Sequence, residues 1–64
     1  MRFKVEKLLF DNEVDHICTT SDIKEVEKVC KELDGCDFNT TVYINGKFDD
    51  IYMDDEIFEF LKSV

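Results

Sequence analysis

The stretch Val42-Tyr43-Ile44-Asn45-Gly46-Lys47-Phe48 decides the fold. Asn and Gly both tolerate the positive φ that a type I′ turn requires at its two central positions, and short apolar runs flank them. The segment therefore predicts a two-residue β-hairpin with Tyr43 opposite Phe48. Simple alternation then puts Tyr52 on the face of that pair and points Val42, Ile44 and Ile51 the other way.

Sliding the chain against itself by 34 positions carries this hairpin onto an earlier one. Asp15, Ile17, Ile23 and Glu25 fall on Asp49, Ile51, Ile57 and Glu59, while Leu8, Phe10, Val14 and Val26 fall on Val42, Ile44, Phe48 and Phe60. Asp11-Asn12 takes the place of Asn45-Gly46. It enters the left-handed region less readily than Gly, which predicts a longer or bulged first hairpin.

A helix start follows each hairpin. Ser21-Asp22 supplies an N-cap for a helix over about Asp22 to Leu33, with Ile23, Val26, Val29, Cys30 and Leu33 at helical spacing and Gly35 suited to end it. Asp54-Asp55-Glu56 opens a second helix over about Asp55 to Lys62, with Ile57, Phe60, Leu61 and Val64 as its apolar stripe. The expected fold is α+β: a ββαββα tandem repeat (1–34 and 35–64) forming one domain, 1–64, with a four-stranded antiparallel sheet and two helices on one face. The strand from Arg2 to Leu9 is expected at a free edge.

At 64 residues the core is thin and a preorganised catalytic pocket competes with stability for the same few residues, so a binding role is favoured over an enzyme. A hydrophobic fraction of 44% with six Phe and two Tyr predicts an ordered chain despite a net charge of −8. The longest apolar run, Leu8-Leu9-Phe10, is far too short to span a bilayer, and the Met1-Arg2-Phe3-Lys4 start lacks a secretory h-region. A cytoplasmic protein is expected. Cys18, Cys30 and Cys36 are odd in number and lack zinc-site spacing, which predicts reduced thiols, no metal and no cofactor.

Charge is distributed unevenly. Met1 to Lys31 carries seven acids against six bases, whereas Glu32 to Val64 carries nine against two. Six late acids, Asp49, Asp50, Asp54, Asp55, Glu56 and Glu59, lie around the last strand and helix start. Acids at a helix N-terminus complement its dipole, and the remainder keep a surface solvated. The functional reading is an acidic surface that meets a basic groove on a partner protein, with Tyr43, Phe48 and Tyr52 as apolar anchors.

Direct nucleic-acid binding needs clustered Lys or Arg, and only Arg2, Lys4 and Lys7 lie close in sequence. The late acids lack calcium-loop spacing. His16 and Cys18, two apart on one predicted strand, would share a face, but no oxyanion motif accompanies them, so no catalytic residue is assigned. In type alone, a very short acidic chain rich in Asp, Phe and Lys resembles phage-encoded inhibitors of host defence enzymes such as anti-CRISPR proteins; the resemblance covers no motif. It implies an inhibitor or regulator that mimics nucleic acid in the groove of a nucleic-acid-binding partner, acting in the host cytoplasm. The alternative is an assembly module that forms a homodimer through a sheet face or edge strand.

Overall fold

The computed structural model describes all 64 residues. Strands β1 (Arg2–Leu8) and β2 (Val14–Thr20) precede helix α1 (Ile23–Glu32), and strands β3 (Phe38–Ile44) and β4 (Lys47–Met53) precede helix α2 (Glu56–Lys62). The four strands form one antiparallel sheet in the order β2-β1-β3-β4. This is the expected α+β architecture. The expectation of a free edge at Arg2–Leu9 is overturned: β1 pairs on both sides, with β2 and β3, and its Phe3 and Val5 are fully buried. A thin domain gains by giving the strand that carries Phe3 and Val5 neighbours on both sides, since these are among its few fully buried side chains.

Both hairpins turn through paired left-handed residues. Asn45 and Gly46 have φ of 54° and 77°, and Asp11 and Asn12 have φ of 64° and 62°. The second hairpin closes directly on its turn, with Ile44 opposite Lys47. The first has a five-residue connection, Leu9 to Glu13, closed by a 2.9 Å bond from the Leu9 N–H to the Glu13 carbonyl. The longer first loop is the one anticipated from Asp11-Asn12.

Each hairpin also contains a bulge, and these bulges set the sheet faces. In β2, Val5 pairs with Cys18 and Glu6 with His16, leaving Ile17 as the extra residue. In β4, Tyr43 pairs with Phe48 and Val42 with Asp50, leaving Asp49 as the extra residue. An extra residue reverses the inward and outward alternation beyond it. Tyr52, opposite Thr40, therefore faces the helices, and Ile51, opposite Thr41, faces away with Tyr43 and Phe48. Both placements reverse the simple alternation.

One sheet face carries Phe3, Val5, Phe38, Thr40 and Val42, onto which α1 packs Val26, Cys30 and Leu33, and α2 packs Ile57 and Leu61. Asp22 caps α1 by accepting the Lys24 N–H at 2.9 Å, and Gly35, at φ 88°, follows its end. The ββα order occurs twice and the two turns correspond, but the 34-residue echo is not confirmed as a structural repeat. Ile23 is 37% exposed where its counterpart Ile57 is fully buried, and the bulges fall at different positions.

Candidate protein-binding surface

β4 is an edge strand and α2 returns beside it, so the late carboxylates lie along one side of the domain. They form two groups with different roles. Asp49 and Asp50 sit at the bulge near the start of β4, and Asp54 and Asp55 lie at its far end, about 13 Å away at the usual strand rise. Asp54 is bound into the fold: its Oδ1 accepts the Phe38 N–H at 3.1 Å, and its own N–H donates to the Phe38 carbonyl at 2.8 Å. Glu56 Oε1 accepts the Met53 N–H at 3.0 Å, which closes the turn into α2. Asp50 Oδ1 accepts the Ile51 N–H at 2.8 Å.

The bulge turns Asp50 and Tyr52 toward the helix side. There Tyr52 stacks on Phe60, with ring centroids 4.9 Å apart and planes tilted by 33°. Tyr52, Phe60, Glu56 and Glu59 line a shallow groove. Desolvation pushes the Tyr52 phenol above its ordinary pKa, and the charges of Asp50 and then Asp49 push it further. Glu59 also meets Lys62 at 3.5 Å in an exposed ion pair of little energetic weight.

The nine residues expected in the interface thus divide. Tyr52, Glu56 and Glu59 come together at one groove on the β4–α2 side, with Asp50 on the same face of β4 as Tyr52 and Asp49 at the bulge beside it. Asp54 and Asp55 line a separate groove of about 380 Å³ with Cys30, Cys36 and Phe58. Tyr43 and Phe48 lie on the helix-free sheet face. Phe60, placed in the core stripe on sequence grounds, is half-buried and shares the groove with Tyr52; its position one turn from Glu56 and next to Glu59 was the available signal.

The β2 bulge also separates His16 from Cys18, correcting their expected common face. His16 pairs with Glu6 on the helix-free side, with Nε2 2.8 Å from Thr19 Oγ1, whereas Cys18 pairs with Val5 on the core side. Burial raises the Cys18 thiol pKa, and Glu25 raises it further. Burial also raises the Cys30 thiol, partly offset by a hydrogen bond with Thr40, their Sγ and Oγ1 being 3.6 Å apart. All three cysteines are free, and no group of three or more His, Cys, Asp or Glu side chains is placed to hold a metal ion. No helix is long and apolar enough to cross a membrane.

No family model, curated protein or solved structure matches this chain.

Proposed function

We propose that this protein is a small inhibitor or regulator that binds a basic, nucleic-acid-binding groove of a partner protein through its β4–α2 side. The observation that carries this reading is the stacked Tyr52–Phe60 pair with Glu56 and Glu59 lining its groove, Asp50 next along the same face of β4 and Asp49 beside it at the bulge. Carboxylates stand in for phosphates, and the ring pair supplies an apolar anchor within the charged surround. A phage-type anti-defence protein such as an anti-CRISPR, working in the host cytoplasm, is one form such a module takes. Neither a cofactor nor a catalytic step is part of this proposal.

The test begins with the partner captured from the native cell and then isolated. Asp49→Asn, Asp50→Asn and Glu59→Gln are combined in one variant; Glu56 is retained because it bonds the Met53 N–H. A control combines Asp11→Asn, Glu13→Gln and Glu32→Gln, all exposed and remote from Tyr52 in sequence. The first variant should associate about tenfold more slowly at low salt, with the difference shrinking as the Debye length falls from about 10 Å at 0.1 M to about 3 Å at 1 M. DNA or RNA should compete for the same groove. Equal association rates for the two folded variants would show that the acids only solvate the surface.

A further inference from the structure

The sheet face without helices is chemically unlike the rest of the molecule. Its paired positions place Leu8 and Val14, then Tyr43, Phe48, Ile51 and Met53, on one surface. Phe48, Ile51 and Met53 are 62%, 45% and 58% exposed. The charged side chains at those positions are Arg2, Lys4 and Glu6, all on β1, so this side escapes the strong negative charge carried elsewhere. A basic groove has no complement here.

We propose that two copies of the chain pack through these helix-free faces, β1 of one crossing β1 of the other in opposite directions. The row Arg2, Lys4, Glu6 reads plus, plus, minus. An antiparallel crossing centred between Lys4 and Glu6 sets Lys4 of each copy against Glu6 of the other, as a two-fold interface requires, and exchanges the partly exposed 3.8 Å Lys4–Glu6 pair within each chain for two pairs between chains. Stacking also leaves the late acids on outward surfaces. Lateral pairing is disfavoured because both edge strands are bulged and Asp50 occupies the Ile51 N–H on β4, devices that blunt sheet edges.

Area sets the size class of the contact. Four strands about 4.8 Å apart, seven residues long at about 3.3 Å each, give a face of roughly 450 Å². Two such faces bury on the order of 1,000 Å², at the small end of specific interfaces, which fits a dimer that forms at micromolar rather than nanomolar concentration. This interface is independent of the proposed function, because Phe48, Ile51 and Met53 lie on the opposite side of the sheet from Tyr52.

Sedimentation velocity from about 1 µM to about 1 mM brackets that range and should show a monomer–dimer equilibrium. The double variant Phe48→Thr/Ile51→Thr keeps β-forming side chains and should raise the dimer Kd at least about tenfold, with circular dichroism confirming the fold. Phe10→Thr, at a still more exposed apolar residue on the first hairpin tip, should leave Kd unchanged. Lys4→Glu and Glu6→Lys should each weaken self-association, and mixing the two variants should restore it because the unlike charges then face each other. A monomer throughout the range overturns the proposal, as does a dimer indifferent to the Phe48 and Ile51 changes. A mixture no more dimeric than its components overturns the crossing of β1 over β1.

Discussion

Replacing Asp54 by alanine removes the acceptor of the Phe38 N–H while keeping a side chain at φ 53°, a left-handed conformation that Asp tolerates better than Ala. A hydrogen bond to a carboxylate contributes about 1.5–3 kcal/mol, and half-burial of Asp54 places it near the lower end. The left-handed backbone adds about 1 kcal/mol for Ala. The expected cost is therefore about 2–3 kcal/mol, a large share of the roughly 3–5 kcal/mol that one core supplies at this size. Asn keeps both an acceptor and left-handed tolerance and should cost under about 1 kcal/mol. Gly relieves the backbone but loses the acceptor, so it should fall between them. Urea unfolding followed by far-ultraviolet circular dichroism measures the series. Alanine within about 0.5 kcal/mol of the native protein would refute the reasoning, since the Asp54–Phe38 pair would then contribute little to joining β3 and β4.

Two further outcomes follow from the same geometry. Cys18, Cys30 and Tyr52 have raised pKa values in the fold, so the unfolded chain loses these protons first as pH rises; stability should be undiminished at neutral pH and decline above about pH 9, measured as melting temperature against pH. In the turns, Asn12→Gly should raise stability and Gly46→Ala lower it, each by about 1 kcal/mol in urea titrations, because Asn12 and Gly46 have φ of 62° and 77°.

The hairpin turns, the Asp22 cap and the helix stripes were legible because each depends on residues close in sequence. Val26, Cys30 and Leu33 recur on one side of α1, and Asn45-Gly46 has few conformational alternatives. The facing of Tyr52 and Ile51 was not legible, since the bulge at Asp49 is a property of pairing between two strands and carries no Gly or Pro to mark it. The same applies to Ile17, which sends His16 and Cys18 to opposite faces. The central position of β1 depends on which strands meet across the sheet, and a free edge at Arg2–Leu9 had overlooked the need to bury Phe3 and Val5. Within the acidic cluster, sequence proximity grouped Asp54 with Asp49, although backbone hydrogen bonding commits Asp54 to the fold.

The place of β1 beside β3 also bears on how the chain reaches this state. Arg2 pairs with Tyr43 and Lys7 with Phe38, so the two middle strands join across most of the sequence, while each hairpin closes locally. Local closure is fast, and the long loop between β1 and β3 makes their pairing the slower, cooperative step. During synthesis the first hairpin and α1 emerge with Phe3 and Val5 lacking the sheet neighbour and second helix that complete their burial. The domain can close only after Phe38–Ile44 has left the ribosome, so slowing translation before that point would lengthen the time its apolar strand remains open to aggregation.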